Sequence, residues 1–545
     1  MTRSKRVLRA ALATAGIGAL SLTACTGPVE SSSDGGSGDS GSTVTVGTTD
    51  KIVSLDPAGA YDNGSLTVMT QVYPFLLNSK PGSAEPEPGI ATSAEFTSPK
   101  EFTVKLKDGL TFANGHDLTS SDVKFSFDRV VSIADPQGPA ALLGNLDHVE
   151  DPDDSTVVFH LKAGNDQTFL GVLTSAAAPI VDEEVFSPDE VTADSTIVKG
   201  KAFAGQYEIT NYTKNELVTY QAFDGYKGLL GEPASETVNY KYYTSANNLK
   251  LDVQQGNIDV AFRSLSATDI ADLEKDDNVK VLKGPGGELR YIVFNFNTMP
   301  YGAKTSKDDA DKALAVRQAM ADSLDRQAIA TQVYKDTYTP VYSFVPSGLP
   351  GATEPLKEMY GDGEGGPDAD RAKKRLEEAG VDTPVSLNIQ YNADHYGPSS
   401  GEEYAMVKSQ LEDTGLFKVN LQSTEWVQYN KDRTQDVYPI YQLGWFPDYS
   451  DADNYLTPFF APGNFLANHY SDDKVASLIA EQQVTTDKQK RQDLIGEIQS
   501  EVAQDLSTLP ILQGSTVAIA GKDVEGVKST LDPSYKFRIG VISKK

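Results

Sequence analysis

The sequence of 545 residues has few residues that could bind a metal or form a disulfide: one cysteine, Cys25, and five histidines. A single thiol cannot close an internal disulfide or build a thiolate metal site. No two histidines stand four residues apart, so there is no helical pair of imidazole ligands, and His148 and His160 are interpreted as strand or loop residues. We therefore expect no metal held by protein groups and no cofactor.

Basic side chains are also scarce. Lysine and arginine together number 48 against 77 aspartates and glutamates, which gives a formal net charge of −29. Nucleic acids and anionic lipid surfaces are polyanions, so this charge argues against binding to either of them. It favours encounter with cationic solutes, although a charge of this sign also simply aids solubility.

A long apolar run stands near the amino terminus, AALATAGIGALSLTA, between four basic side chains in the first ten residues and Cys25. This arrangement is typical of a secretory signal, and the apolar run is too short for a membrane-spanning helix. The segment LTAC resembles a bacterial lipobox, which predicts cleavage before Cys25 and lipid attachment to its thiol. We expect a signal peptide over residues 1–24 and a flexible tether, rich in serine and glycine, over residues 25–42.

From Thr43 onward, strand and helix patterns alternate without internal repeats, which predicts an α/β architecture. Alternating apolar residues predict strands, for example at 102–106 and 156–161, and apolar residues at helical spacing predict helices, for example at 312–324. At this length the chain exceeds what one hydrophobic core normally supports, so we expect two or more lobes.

The stretch from Tyr441 to Phe460, YQLGWFPDYSDADNYLTPFF, combines aromatics, glycine, prolines and acids in twenty residues. An aromatic surface beside a fixed carboxylate can hold an ammonium group, because the ring face attracts the cation and the carboxylate neutralises it. A solvated acidic turn beside a buried Trp and a buried Phe would have the same sequence pattern. The stretch alone leaves both interpretations open.

Several motifs together resemble one family, the extracytoplasmic solute-binding proteins of family 5, which serve ABC importers of dipeptides, oligopeptides and nickel. The motifs occur in the family's order and run from about Thr43 to the end of the chain: SLDPA, EPEPGIATSAEFTSPKEFTVKLKDGLTFANGHDLTSSDVKFSFDRV, AVRQAMADSLDR, DADRAKKRLEEAG, GWFPDYSDADN, NHYSDDKVASLIAEQQ and LSTLPIL.

The resemblance implies a two-lobed, periplasmic-binding-protein-like clamshell of type II, cluster C, with an extra subdomain in lobe one. Lobe one would comprise residues 43–288 with 512–545 returning to it, and lobe two residues 289–511. It also implies a monomeric, non-catalytic protein outside the cytoplasm that captures peptides between its lobes and delivers them to an ABC permease.

The resemblance further implies particular ligand contacts. In peptide-binding members an aspartate of the G-W-x-x-D loop pairs with the peptide ammonium, and Trp445 and Asp448 occupy the matching positions here. The candidate ligand-binding residues are Tyr441, Gly444, Trp445, Phe446, Asp448 and His395. One departure matters: dipeptide binders place an arginine for the peptide carboxylate in the loop that reads NADHYGPSS here, where His395 is the only candidate cation. A longer peptide is therefore expected.

Parts of the sequence also fit other functions. The same fold could bind another solute, such as an oligosaccharide or a chelated metal. Gly397 to Gly401 has the spacing of a nucleophile elbow around Ser399, which suggests a serine hydrolase as an alternative. The elbow, however, requires its serine directly after a strand, and Ser399 follows the predicted strand 385–391 by several residues. Asp448, Asp451 and Asp453 suggest a calcium loop, but the required glycine and the final glutamate are missing.

Overall fold

The computed structural model describes residues 43–392, 394–397, 399–534 and 536–545. Cys25, the predicted signal peptide and the predicted tether lie outside these residues. Within them, no helix combines the length and the apolar character that crossing a bilayer requires.

The strands of the largest sheet come from the whole length of the chain: β1 (Thr43–Thr48), β8 (Tyr207–Thr213), β9 (Leu217–Ala222), β10 (Thr237–Tyr242), β11 (Val260–Phe262), β12 (Val279–Phe294), β13 (Tyr338–Pro340), β14 (Val385–Asn392), β15 (Phe417–Thr424), β16 (Ile440–Trp445) and β17 (Thr508–Gly521). Smaller sheets use β2 (Leu77–Asn78), β3 (Glu87–Pro88), β4 (Ala91–Ser98), β5 (Glu101–Leu106), β6 (Leu146–Asp153), β7 (Thr156–Leu161), β18 (Val524–Glu525) and β19 (Ser543–Lys544).

The helices alternate with these strands: α1 (Asn63–Val72), α2 (Ser120–Ile133), α3 (Phe169–Val172), α4 (Asp194–Gly200), α5 (Ala246–Gln254), α6 (Ala267–Leu273), α7 (Ala310–Ser323), α8 (Arg326–Gln332), α9 (Pro355–Met359), α10 (Ala369–Glu378), α11 (Ser400–Asp413), α12 (Trp426–Arg433), α13 (Thr457–Phe460), α14 (Asp473–Val484) and α15 (Lys488–Asp505). The prediction of an α/β architecture is confirmed.

Local capping chemistry explains where several helices begin. At α2 the hydroxyl of Thr119 and the carboxylate of Asp122 form a capping box, so the otherwise unpaired amides of the first turn are satisfied. Asp325 and Asp368 cap α8 and α10 by accepting from amides three residues on. Gly380, with φ of +65°, follows the end of α10, because glycine adopts the left-handed conformation that ends a helix without strain.

Two long antiparallel strands, β12 and β17, run through the centre of the largest sheet, which has the order β15-β14-β16-β12-β17-β11-β1-β10-β9-β8. Their register shifts between Pro285 and Leu289 and again between Arg290 and Tyr291. Irregularities of this kind bend a strand and increase its twist. The bend lies where the sheet passes from one hydrophobic core to the next.

The buried apolar side chains form separate clusters. One contains only residues between 289 and 512, and we call the part built on it lobe two. The others draw on residues 44–279 together with 518–542, and we call that part lobe one. Within lobe one, the four-stranded sheet β4-β5-β7-β6 packs on its own cluster.

Three segments differ from what their residue patterns predict. Alternating apolar residues predict a strand at 537–541, but Ile539–Val541 form a 3₁₀ helix and Phe537 stacks on Phe262. The apolar run LRYIVFNF predicts a strand from Leu289, and β12 contains Leu289–Phe294 but begins earlier, at Val279, because pairing with β17 holds the Gly- and Pro-rich segment extended. The basic residues in the middle of α10 predict a solvated helix face, but Arg375 lies 2.6 Å from the buried carboxylate of Asp322.

Candidate functional site

A cavity of about 450 Å³ lies between the two lobes. Lobe one contributes residues around the start of α1, and lobe two contributes the segment after β16 and the loop before α11. The lining residues are Tyr61, Asp62, Asn63, Leu66, Ala176, His395, Tyr396, Trp426, Gly444, Trp445, Phe446, Pro447, Asp448 and Phe465. Five of the six predicted ligand-binding residues therefore surround one cavity.

Strand β16 delivers the predicted loop to the cavity. Its last residue, Trp445, pairs with Leu289 of β12, at the point where β12 bends. Because the strand ends there, residues 446–450 leave the sheet and extend into the space between the lobes. Sheet register thus decides which part of Tyr441 to Phe460 is available to a ligand.

Asn454 fixes the two central side chains of this loop. Its amide oxygen accepts from the indole Nε1 of Trp445 at 3.0 Å and from the backbone nitrogen of Asp448 at 2.9 Å. Its amide nitrogen donates to Oδ2 of Asp448 at 2.9 Å. One side chain therefore sets the position of both the aromatic ring and the carboxylate, which leaves little freedom to lose when a ligand binds.

The carboxylate of Asp448 has a partner from lobe one. The hydroxyl of Tyr61 donates to Oδ1 of Asp448, although Tyr61 as a residue is 46% exposed. Burial raises the pKa of Asp448 above its usual value, while the hydrogen bonds from Asn454 and Tyr61 act in the opposite direction. A half-buried carboxylate that accepts from one neutral donor on each oxygen, and that forms no ion pair with a described residue, is suited to pairing with an incoming ammonium group.

A second carboxylate, that of Asp62, lines the cavity from lobe one. Its Oδ1 caps α1 by accepting from the amide of Ser65 at 2.8 Å. Its Oδ2 is buried and accepts no hydrogen bond from any described residue. Burial raises the pKa of Asp62 as well. The cavity therefore presents acidic groups from both lobes, a field that favours cationic ligands.

Aromatic rings form most of the lobe-two wall. Trp445 packs edge-on against Phe459 with ring centroids 5.1 Å apart. The imidazole of His395 stacks on Trp426 at 3.9 Å with an interplanar angle of 7°. Burial lowers the pKa of His395, so this side chain stays neutral at pH 7 and does not replace the missing arginine as a cation.

An arginine does approach the loop that contains His395, but it comes from β12. The guanidinium of Arg290 donates to the carbonyl of Tyr396 and lies 3.1 Å from carboxylate oxygens of both Glu288 and Glu403. It is buried and already neutralised. Arg290 therefore supports the cavity wall from behind and is not available to a ligand carboxylate.

Tyr441 and Ser399 lie apart from this arrangement. Tyr441 is fully buried and donates its hydroxyl to the carbonyl of Leu466 at 2.9 Å. Its ring packs within the hydrophobic cluster of lobe two and does not line the cavity, so the structure corrects its inclusion among the cavity residues. Ser399 lies well beyond the end of β14 at Asn392, so the strand-to-serine turn of a nucleophile elbow is not formed.

Replacing Asn454 by Ala is expected to loosen the site and destabilise lobe two. The change leaves the Trp445 indole and the Asp448 amide without their acceptor, at a cost of about 1–3 kcal/mol for each buried donor left unpaired. Thermal unfolding should move to lower temperature, and intrinsic tryptophan fluorescence should change. Asn420→Ala is the matched control: among the described residues its exposed side-chain amide hydrogen-bonds to Asn388, so its loss should leave both measurements unchanged. Equal unfolding temperatures for the two variants would contradict the role of Asn454.

A family of known proteins matches this chain. The model of the bacterial extracellular solute-binding proteins, family 5, matches residues 85–466. The chain belongs to this family. It is 23% identical over 508 residues to the dipeptide-binding protein of Escherichia coli, covering 89% of this chain and 90% of the relative. It is 23% identical over 521 residues to the periplasmic oligopeptide-binding protein OppA of Salmonella typhimurium, covering 90% and 91%.

A solved structure agrees with the fold. The ABC transporter substrate-binding protein CtaP of Listeria monocytogenes superposes with a TM-score of 0.76 at 23% identity, over 92% of this chain and 99% of that one. The predicted membership of family 5 and the two-lobed fold are confirmed. So is the role as an extracytoplasmic solute-binding protein. The relatives are named as binding proteins rather than enzymes.

Sequence reasoning missed three side chains of the site. Tyr61 stands 387 residues before its partner Asp448, so no local pattern connects them. Trp426 begins the short helix α12, which follows β15. Because β15 runs parallel to β14, this helix starts at the same end of the sheet as the His395 loop that follows β14. Asn454 lies inside Tyr441 to Phe460, and its short spacing from Trp445 and Asp448 is the one sequence signal that points to it.

Proposed function

We propose that this family member captures peptides between its lobes and hands them to an ABC permease. The observation that carries the proposal is the Asp448 carboxylate, held by Asn454 beside Trp445 in a cavity between the lobes. Two relatives are named for binding dipeptides and oligopeptides, which supports a peptide as the ligand. The α-ammonium of the peptide takes the place of the Tyr61 hydroxyl at Asp448.

The peptide backbone supplies most of the binding free energy. Micromolar affinity requires about 8 kcal/mol, and one charge-assisted pair contributes about 1.5–3 kcal/mol. Asp448 therefore fixes the direction of the peptide, while main-chain hydrogen bonds and contact with Trp445, Phe446 and Gly444 supply the rest. Since His395 is neutral and Arg290 is neutralised, the carboxylate end of the ligand is held outside this cavity, which favours peptides longer than two residues.

In this proposal the chain crosses between the two lobes in β12 and again in β17. Lobe one comprises residues 43–288 with 512–545, lobe two comprises residues 289–511, and the crossings near Leu289 and Leu512 form the hinge. The separate hydrophobic clusters and the irregular register of β12 support this division. A ligand closes the lobes by binding the closed arrangement better than the open one, and the permease recognises the closed form.

Membrane attachment is part of the same proposal. Lipid on Cys25 anchors a monomeric receptor at the outer face of the cell membrane, and the tether over residues 25–42 gives it a reach of roughly 20 Å. Anchoring keeps the receptor near its permease without a spanning helix. The mass of the mature amino-terminal peptide, measured after detergent extraction, tests whether Cys25 carries lipid. An unmodified Cys25 would contradict the proposed anchor.

Mass spectrometry of small molecules released from the purified protein tests the peptide proposal directly. We expect a series of peptides of several lengths with varied side chains, because the backbone and the ammonium are the groups recognised. Isothermal titration calorimetry with a peptide of the recovered length should then give a one-to-one complex. Recovery of hexose oligomers instead, with no heat from peptides, would show that the family fold serves another solute here.

Peptide affinity is expected to fall in mild acid. Asp448 must be ionised to pair with an ammonium group, and its raised pKa means that it takes up a proton at a higher pH than a solvated aspartate does. Affinity should be constant near neutral pH and fall by up to about tenfold per pH unit once the pH is below that pKa. Calorimetry between pH 7 and pH 4 measures the effect.

The same titration with Asp448→Asn isolates the contribution of this residue from that of Asp62. The variant should bind weakly at every pH, with a shallower pH dependence than the parent. Identical slopes for the parent and the variant would assign the pH dependence to another group.

A further inference from the structure

The outer sheet of lobe one brings two histidines together. Strands β6 and β7 pair antiparallel, with His148 directly opposite His160. Their imidazole rings are parallel, with centroids 4.2 Å apart and an interplanar angle of 4°. The sequence separates these residues by a turn and shows no helical ligand spacing. A cross-strand pair obeys a different rule, because neighbours on adjacent strands lie about 5 Å apart whatever their separation in sequence.

A glutamate completes the cluster. Glu150 follows His148 by two residues on β6, which places both side chains on the same face of the sheet. Its two oxygens lie 3.6 Å from Nε2 of His148 and 3.4 Å from Nε2 of His160. One ligand atom from each of the three residues falls within 4.8 Å of the others. Nε2 of His160 is buried and has no hydrogen-bond partner among the described residues.

These separations are close to those between ligands on one metal ion. Bonds of about 2.0–2.1 Å in tetrahedral geometry place neighbouring ligand atoms about 3.3 Å apart. The observed 3.4 and 3.6 Å exceed ordinary N–H···O hydrogen bonds. An ion needs the two parallel rings to open toward it, and the His148 side chain, 51% exposed, has room to rotate.

A second carboxylate orients His148 for this role. Nδ1 of His148 lies 3.0 Å from Oδ2 of Asp147 and donates its proton there, which leaves the Nε2 lone pair free. Metal-bound histidines usually make such a bond through their other nitrogen. Glu101 on β5 stands 3.9 Å from Nδ1 of His160 and adds negative charge nearby.

We propose that His148, His160 and Glu150 bind a divalent transition-metal ion of the Zn²⁺ type on the outer sheet of lobe one. Two imidazoles and one carboxylate suit Zn²⁺, Ni²⁺ or Cu²⁺ better than Mg²⁺ or Ca²⁺, which prefer ligand sets made of oxygen alone. Three protein ligands leave a fourth position open to water or to a group from another molecule. The site is separate from the cavity between the lobes, so it stands independently of the proposed peptide function.

Isothermal titration calorimetry of the full chain with ZnCl₂ tests the proposal. We expect one saturable site, a Zn²⁺-dependent rise in the thermal unfolding temperature, and no comparable binding of Ca²⁺. His148→Gln and His160→Gln should each weaken the binding at least about tenfold, and Asp147→Asn by about ten- to a hundredfold. All three positions are outside the hydrophobic core, so unfolding temperatures without metal should match the parent.

His116→Gln is the matched control. His116 also stands beside two carboxylates, with Nδ1 2.9 Å from Asp182 and 3.9 Å from Glu184, but it has no second histidine nearby within the described part of the chain. This variant should bind Zn²⁺ as the parent does. Absence of saturable Zn²⁺ binding by the parent, or equal binding by the parent and the His148 and His160 variants, would overturn the proposal.

Discussion

Replacing Asp448 by Asn is expected to weaken peptide binding by about 3–5 kcal/mol, which is more than a hundredfold in the dissociation constant. The loss exceeds what the ion pair itself contributes, because the variant leaves the ligand's ammonium buried without a counter-charge. The fold should survive, since an amide can keep the contacts that Asp448 makes with Asn454 and Tyr61. Calorimetric titration with a free-amine peptide measures the change.

An N-acetylated version of the same peptide gives the control within the ligand. Acetylation removes the positive charge, so the parent and Asp448→Asn should bind the acetylated peptide with similar affinity. The difference between the two peptides in the two proteins then reports the pairing of carboxylate and ammonium alone. Equal losses for both peptides would show that Asp448 acts through the shape of the loop and not through its charge.

Replacing Gly171 by Ala is expected to hinder closure of the lobes. Gly171 lies in α3 of lobe one, and a Cβ there would stand 2.5 Å from Cδ2 of Tyr449 in lobe two. The tyrosine ring packs against the lobe-one cluster that contains Phe169 and Leu173. An overpacked contact typically costs about 1–3 kcal/mol. Because this contact joins the two lobes, the cost falls on the closed form, and peptide affinity should fall roughly 5- to 150-fold.

Small-angle X-ray scattering with and without peptide separates closure from binding in this variant. The parent should become more compact with peptide, and Gly171→Ala should do so only at higher peptide concentration. Gly496→Ala is the control: its Cβ would meet only Cγ2 of Thr353 at an ordinary 3.7 Å. The double variant Gly171→Ala with Tyr449→Ala should regain much of the lost affinity. If Gly171→Ala alone binds peptide and becomes compact at the same peptide concentration as the parent, the contact between Gly171 and Tyr449 has no role in closure.

Tyr441 shows why the candidate site was only partly predictable. The sequence indicates that aromatics and acids are dense between Tyr441 and Phe460, but not which of them face solvent. Tyr441 packs within the hydrophobic cluster of lobe two and is fully buried, whereas Trp445 at the end of β16 is half-buried and lines the cavity. Burial depends on the neighbours that a strand acquires, and those neighbours are distant in sequence.

The sequence by itself determined the features that depend on local chemistry. Thr119 and Asp122 specify the start of α2, the alternation of apolar residues specifies β5 and β7, and the order of motifs identifies the family. Each of these rests on interactions between residues a few positions apart, which a linear pattern records.

Only the tertiary structure decided which distant residues meet. It places Tyr61 on Asp448, Tyr449 against Gly171 and His148 opposite His160. These pairs depend on sheet register and on how the two lobes face each other. Both are set by the burial of many side chains at once, so no local pattern encodes them.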